Sequence, residues 1–228
     1  MQKGAYLFLR IKTLLEKLTL SLVLLTGVFV ICLGGLLAVA DMVFEDKNQS
    51  FDEHVFSLIL PFINATNTGI MEAITFFGSP AFLIPANILL ILFFLLIKKN
   101  TNDAIRVTAI SVTSTAVLLL LKTVLHRQRP LMPLIAKAHG FSFPSGHTFS
   151  SVVFFGMLAY TAYKSIKSSL LKWVVIAVLV LLTGMVGLSR VYLKLHYASD
   201  VIAGFCLGII WLLLAKWVLF KTAKISSV

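Results

Sequence analysis

The chain has 228 residues, of which 59% are hydrophobic and 13% are charged, and its formal net charge is +11. A chain this apolar is not a water-soluble domain, and it is long enough to cross a bilayer several times. The composition therefore predicts an integral membrane protein.

The distribution of charge accounts for the basic excess without nucleic acid. Most basic residues lie in residues 3–17, 98–106, 164–172 and 216–224, where the acids are Glu16 and Asp103. Apolar runs separate these segments so that all four would share one side of the membrane. The positive-inside rule places that side, with both termini, in the cytoplasm.

Apolar runs predict an all-α bundle of six membrane-spanning helices. Residues 1–17 are typical of an amphipathic segment at the inner interface. The predicted crossings are Leu18–Ala40, Ala81–Ile97, Ala104–Leu125, Ser145–Tyr163, Trp173–Tyr192 and Ser199–Leu219. Residues 41–80 form an acidic outer segment, in which Val55–Ile63 and Met71–Phe77 are too short to cross and are predicted as interfacial helices. No linker divides the chain, so residues 1–228 are expected to form a single domain.

The stretch from Ser189 to Asp200 places an arginine, a histidine and an aspartate between two long apolar runs. Such polar groups are costly near lipid, so this is a candidate functional site. If a helix begins near Tyr197, His196 and Asp200 stand four residues apart and meet on one face. The carboxylate would fix the imidazole tautomer and leave the other ring nitrogen free to attack or to bind a metal. The alternative is a helix end with a satisfied histidine.

Four polar clusters fall at the outer ends of the predicted crossings. They are Lys122–Arg129, Pro144–His147, Ser189–Arg190 and His196–Asp200. Hydropathy and charge bias alone define the topology, so the convergence of these clusters is an independent prediction of a shared site.

Basic residues dominate this outer half after residue 80. The bases are Lys122, Arg127, Arg129, Lys137, Arg190 and Lys194, against the acid Asp200. The balance favours an anionic ligand and disfavours Mg²⁺ or Ca²⁺, which need several oxygen ligands. A zinc site from His126, His139, His147 and His196 is an alternative, but no pair has a local ligand spacing. We predict no metal and no other cofactor.

The run Pro144–His147 immediately precedes an apolar helix. Serine is a preferred N-cap, and glycine lets an anion approach the first free backbone N–H groups, where the helix dipole favours negative charge. The alternative is an ordinary cap with a glycine that serves helix packing.

Lys122 and Arg129 supply complementary phosphate ligands. Arginine offers planar bidentate hydrogen bonds and lysine a point charge, and phosphoryl transfer uses both. Singly, they are also typical of a snorkelling anchor and a loop start. Arg127, two residues before Arg129, is predicted to point away as a loop anchor.

Together these residues resemble the type 2 phosphatidic acid phosphatase (PAP2) superfamily of membrane lipid phosphatases. The family signatures read K-x6-R-P, P-S-G-H and S-R-x5-H-x3-D. They are complete and in order here, as Lys122–Pro130, Pro144–His147 and Ser189–Asp200. The resemblance covers this part of the chain closely, and residues 1–100 match no signature.

The resemblance implies a metal-independent mechanism with a histidine nucleophile. His196 would attack phosphorus, Asp200 would orient it, and His147 would protonate the leaving oxygen, before water releases phosphate from a phosphohistidine. The residues implied to hold the phosphoryl oxygens are Lys122, Arg129, Ser145, Gly146 and Arg190. His126, His139 and Lys194 are candidate head-group contacts.

The expected substrate is a membrane lipid phosphate, since its tail stays in the leaflet while its phosphate enters an extracytoplasmic site. Phosphatidylglycerophosphate is the first expectation, undecaprenyl diphosphate the alternative and phosphatidic acid a further option. A lipid phosphotransferase would use the same residues. A transporter of anions or lipids would also bury bases among helices, but it usually shows midplane charges and paired repeats, which this sequence lacks.

Overall fold

The computed structural model describes residues 2–136 and 139–225, and the side chains of residues 20–136 and 139–218. All regular structure in this described part is helical. The α-helices are α1 (Gln2–Phe44), α2 (Ser50–Ile59), α3 (Ala65–Phe76), α4 (Pro80–Leu92), α5 (Thr101–Leu125), α6 (Gly146–Ser165), α7 (Ser169–Tyr192) and α8 (Ala198–Ile225). Short 3₁₀ and π turns follow α2 and α4, at Leu60–Phe62 and Phe93–Ile97.

Polar caps mark where the helices begin. Asn64, Ser79, Asn100, Ser145 and Ser168 each accept a hydrogen bond from a backbone N–H in the first turn of the following helix. Such a cap satisfies one of the donors that every helix leaves free at its N-terminus. The N-cap role predicted for Ser145 is confirmed.

Five helical stretches within the described residues are long and apolar enough to cross a membrane. They are Leu20–Phe44, Ala65–Ile97, Thr101–Leu125, Ser169–Tyr192 and Ala198–Val218. The fourth predicted crossing corresponds to α6, which is helical but is not among these five. Much of α6 is buried by protein, including Ser151, Thr148 and Phe149. A helix surrounded by protein does not need an apolar side chain at every position, and this explains its lower hydropathy.

The segment predicted to lie outside the bilayer is itself helical. The two short helices expected there correspond to α2, with its 3₁₀ extension, and to α3, which begins at Ala65 rather than Met71 because Asn64 caps it. The predicted amphipathic side chains of residues 1–17, and Lys137, lie outside the described residues.

The centre of the bundle is α6, which packs mainly against α7 and α8 and also contacts α4 and α5, while α1 packs against α8. Two glycines of α8 allow this close approach. A Cβ on Gly204 would lie 3.0 Å from the carbonyl oxygen of Ser145, and one on Gly208 would lie 2.7 Å from Cβ of Val152. The first turns of α6 and α8 are therefore held side by side.

Candidate active site

His196 and Asp200 meet where the chain passes from α7 to α8. Nδ1 of His196 lies 3.4 Å from Oδ2 of Asp200, and both side chains are buried. The Ser142 hydroxyl donates to the same carboxylate oxygen and lies 3.3 Å from Nδ1, and the Tyr197 N–H donates to that oxygen at 3.0 Å. This arrangement favours a proton on Nδ1, which leaves the lone pair on Nε2 available.

Arg129 faces that second ring nitrogen. Its Nη1 lies 3.1 Å from Nε2 of His196 and donates to the Leu195 carbonyl at 2.7 Å. Burial lowers the pKa of His196 to about 4, although its hydrogen bond to Asp200 acts in the opposite direction. The imidazole is therefore neutral near pH 7, as a nucleophile must be.

Two further cations approach from α5 and α7. Nζ of Lys122 donates to the Phe141 carbonyl at 2.6 Å, and Nη1 of buried Arg190 donates to the Thr75 hydroxyl at 2.8 Å. Nε of Arg190 is buried and has no hydrogen-bond partner among the described residues. Buried donors are nearly always paired, so an unpaired one beside other cations suits an anionic ligand.

The N-terminus of α6 completes the site. The Ser145 N–H donates to the Asp200 carbonyl at 3.0 Å, which ties the start of α6 to the start of α8. Cε of Lys122 would lie 3.6 Å from a Cβ placed on Gly146. Partly buried His147 lies within electrostatic range of His196 and of the three cations Arg190, Arg129 and Lys122. The structure thus brings both histidines and all three cations to one end of the bundle.

The hydroxyl of Ser145, which the resemblance implies as a phosphate ligand, contacts the first turn of α6. It lies 2.9 Å from Oγ1 of Thr148 and accepts from the Thr148 N–H at 3.5 Å. It serves as the N-cap of α6. The first backbone N–H groups of a helix are a general position for binding an anion.

Arg127 does not point away from the site, so that prediction was wrong. Its guanidinium is largely buried, with Nη1 donating to Asp200 at 2.6 Å and Nη2 to Asp52 at 2.8 Å. Asp52, on α2, is a second buried acid that the count of charges after residue 80 omitted. Ser142 and Thr75 were also missed, since neither lies within a recognisable sequence pattern.

The three candidate head-group contacts lie around the edge of the site. His126 is exposed, packs edge-on against Phe141 and caps α5 in the left-handed conformation with φ of 46°. His139 is exposed, and its carbonyl accepts from Arg129 at 3.3 Å. Nζ of Lys194 lies 5.9 Å from the centre of the Phe56 ring on α2. No three His, Cys, Asp or Glu side chains among the described residues converge on a position for a metal ion.

Comparison with known proteins identifies relatives. Residues 103–224 match the PAP2 superfamily. Phosphatidylglycerophosphatase B of Bacillus subtilis is 29% identical over 188 residues, which cover 79% of this chain and 89% of the relative. Undecaprenyl-diphosphatase of Sulfolobus acidocaldarius is 26% identical over 214 residues, which cover 91% of this chain and 89% of that protein.

Solved structures show the same fold. The crystal structure of a transmembrane PAP2 type phosphatidylglycerolphosphate phosphatase from Bacillus subtilis superposes with a TM-score of 0.76 at 27% identity, covering 86% of this chain and 96% of that one. Aquifex aeolicus LpxE superposes with a TM-score of 0.56 at 25% identity, covering 71% and 92%. The matched family segment contains every residue from Lys122 to Asp200 described above.

Proposed function

The chain belongs to the PAP2 superfamily and is a membrane lipid phosphatase, and we propose that its substrate is phosphatidylglycerophosphate. The relative from Bacillus subtilis supports this choice through both its sequence and its fold. The relative from Sulfolobus acidocaldarius supports undecaprenyl diphosphate as the second candidate. Both lipids present a terminal phosphoryl group on a long apolar anchor.

The observation that carries the proposal is the group of cations around two histidines. Lys122, Arg129, Arg190 and His196 lie within electrostatic range of His147, and the buried Nε of Arg190 has no hydrogen-bond partner in residues 2–136 and 139–225. Hydrogen bonds from arginine to phosphate are strong because they are charge-assisted and bidentate. The phosphoryl group would take the place of loop carbonyls as the partner of Arg129 and Lys122.

In the proposed mechanism, Nε2 of His196 attacks phosphorus and forms an N–P bond while the P–O bond to the lipid breaks. The imidazolium form of His147, which the negative charge of the bound phosphate favours, donates a proton to the leaving lipid oxygen and becomes neutral. Water then attacks phosphorus and gives a proton to His147, and cleavage of the N–P bond releases phosphate and restores His196. Asp200 stabilises the positive ring, and Arg129 and Arg190 stabilise charge on the phosphoryl oxygens.

A groove beside His147 suits a lipid tail. It has a volume of about 290 Å³ and runs between α4, α5 and α6, with His147 and Gly146 at one end and Ser114, Leu83 and Met157 along its length. Its walls are mainly apolar, and it leads from the site into the membrane-spanning part of the bundle. A phosphate bound near His147 would therefore leave its apolar anchor among these helices.

We also propose that residues 1–228 form a single domain with six crossings and both termini in the cytoplasm, so that the site faces the extracytoplasmic side. Cysteines introduced at exposed Gln128 and exposed Lys167 would report on opposite ends of α6. A membrane-impermeant thiol reagent added to whole cells should label the first and spare the second, relative to the unsubstituted chain. Equal labelling of both would refute this topology.

A panel of lipid phosphates tests the activity and the substrate together. Purified enzyme should release inorganic phosphate from phosphatidylglycerophosphate faster than from undecaprenyl diphosphate or phosphatidic acid. A folded His196→Ala variant should be inactive on all three. Faster turnover of the diphosphate would reverse the order of substrates, and an active His196→Ala variant would exclude the proposed nucleophile.

A further inference from the structure

Asp52 is an acid of the outer segment whose side chain is completely buried. Its Oδ1 accepts from the Ser199 N–H at 2.9 Å, and its Oδ2 accepts from the Ser199 hydroxyl at 2.6 Å and from Nη2 of Arg127 at 2.8 Å. Three donors on two oxygens form the pattern expected around an ionised carboxylate. A buried charge needs such partners, and here one of them is a guanidinium.

Arg127 connects this acid to the candidate catalytic pair. Nη1 of Arg127 donates to Oδ1 of Asp200 at 2.6 Å and to the Ser199 hydroxyl at 2.7 Å, while Nη2 reaches Asp52. Its guanidinium carbon lies 4.1 Å from the centre of the Tyr197 ring, a contact that favours stacking of the guanidinium on the ring. The other oxygen of Asp200 faces His196. A continuous chain of contacts therefore runs from Asp52 through Arg127 and Asp200 to the imidazole.

We propose that Asp52 and Arg127 are positioning residues of the reaction, which orient Asp200 and set the negative charge that it presents to His196. This inference rests on the proposed phosphohistidine mechanism. Neither residue touches the reacting atoms, and both act through Asp200.

The charge balance explains why two residues are needed. Arg127 alone would neutralise Asp200 and weaken its stabilisation of the positive ring that forms when His196 is phosphorylated. Asp52 compensates for the guanidinium, so the two carboxylates and one cation together keep the single negative charge of one aspartate. The Arg127 guanidinium thereby fixes the geometry of Asp200 without reducing the electrostatic effect of Asp200 on the His196 imidazole.

The decisive comparison is between Asp52→Asn and the double variant Asp52→Asn/Arg127→Gln. In the single variant Arg127 remains and neutralises Asp200, so kcat should fall by about tenfold to a hundredfold while KM changes little. The double variant removes the uncompensated cation and restores the net charge, so its kcat should be higher than that of the single variant. A merely structural link between α2 and α8 predicts the reverse, because the double variant loses more contacts.

The pH profile supplies a second readout. The charged and titratable groups that face His196 are Asp200 from α8, Arg129 from the loop, Arg190 from α7 and His147 from α6. With these unchanged, Asp52→Asn makes the surroundings of His196 more positive and should move the acid limb of kcat/KM to lower pH. Arg127→Gln makes them more negative and should move it to higher pH.

Controls keep the result interpretable. Glu53→Gln removes an exposed acid from the next position of α2 and should match the unsubstituted enzyme in kcat, KM and pH profile. If Asp52→Asn does not fold in detergent, the upward shift expected for Arg127→Gln decides the question alone. A double variant no faster than Asp52→Asn, or acid limbs that do not move, would overturn the proposal. An unsubstituted enzyme that releases no phosphate from any lipid phosphate would instead refute the proposed function.

Discussion

The role of His147 is tested by changing the leaving group of the substrate together with the residue. His147 is the second residue of α6, and His196 and three cations lie within electrostatic range of it. If it donates a proton to the departing lipid oxygen, His147→Ala should slow the cleavage of an alkyl phosphate. The same variant should have much less effect on the kcat/KM of a nitrophenyl ester of similar shape, whose leaving oxygen departs without a proton.

The expected size of the effect follows from what the substitution removes. Lys122, Arg129 and Arg190 remain in place, so phosphate binding and KM should change little. What disappears is proton transfer, which typically contributes a factor of about 10² to 10⁴. At about 1.36 kcal/mol for each factor of ten, the barrier on the alkyl substrate rises by about 3 to 5 kcal/mol.

The assay measures kcat and KM on both esters and follows the protein-bound phosphate. On the nitrophenyl ester, His147→Ala should accumulate phosphohistidine, because the water step also needs a base. His54→Ala, which removes an exposed histidine from α2, is the matched control and should behave as the unsubstituted enzyme. Equal losses of kcat/KM, which reports the phosphorylation step, on the two esters would refute the assignment of His147 as the proton donor.

Three further outcomes are expected. Burial lowers the pKa of His196 to about 4, so the nucleophile is neutral above that pH. We therefore expect kcat/KM to persist through pH 5 and to fall as the pH drops through 4. A fall in kcat/KM near the ordinary pKa of histidine would contradict the buried environment of His196. Activity should survive EDTA, and a strict requirement for added Mg²⁺ or Zn²⁺ would show that the charge balance was misinterpreted. Ser114→Phe should fill the groove beside His147. It should lower kcat/KM for long-chain lipid phosphates by about tenfold or more and leave kcat/KM for short-chain substrates unchanged. Val112→Phe on the exposed side of the same helix is its control, and equal effects would argue against the groove as the lipid path.

Hydropathy predicted most of the helices because lipid-facing helices must be apolar over their whole exposed surface. The same argument is weaker for α6, which is surrounded by other helices and carries several small polar side chains. Its position was nevertheless predictable, since Ser145 marks its start and Tyr163 lies near its end. For a helix that other helices surround, the residues at its ends thus predict its bounds better than its hydropathy does.

The error on Arg127 came from applying helix geometry to a loop. Residues two apart share a face in a strand but not in a helix. The chain leaves α5 at His126, whose φ of 46° turns the backbone, and residues 126–130 are irregular. Arg127 and Arg129 therefore both reach the site, one from behind Asp200 and the other beside Nε2 of His196.

Asp52 was not predictable because its contacts are distant in the sequence. Arg127 lies 75 residues away and Ser199 lies 147 residues away. Nothing within α2 distinguishes Asp52 from its exposed neighbour Glu53, since both are acids in the first turn of one short helix. The packing of α2 against α8 decides which of the two becomes buried.

Helix packing positions His147 and Asp200, whereas His196 and Arg129 lie on the connections between helices. Catalytic groups must be held closely in place, and rigid elements do so better than loops. His147 and Asp200 each lie in the first turn of a helix, and a backbone hydrogen bond from Ser145 to Asp200 joins the two turns at 3.0 Å. Gly204 allows this close approach, because a Cβ at that position would lie 3.0 Å from the Ser145 carbonyl oxygen. A glycine contact in the core of the bundle therefore supports the relative placement of the helix turns that carry His147 and Asp200.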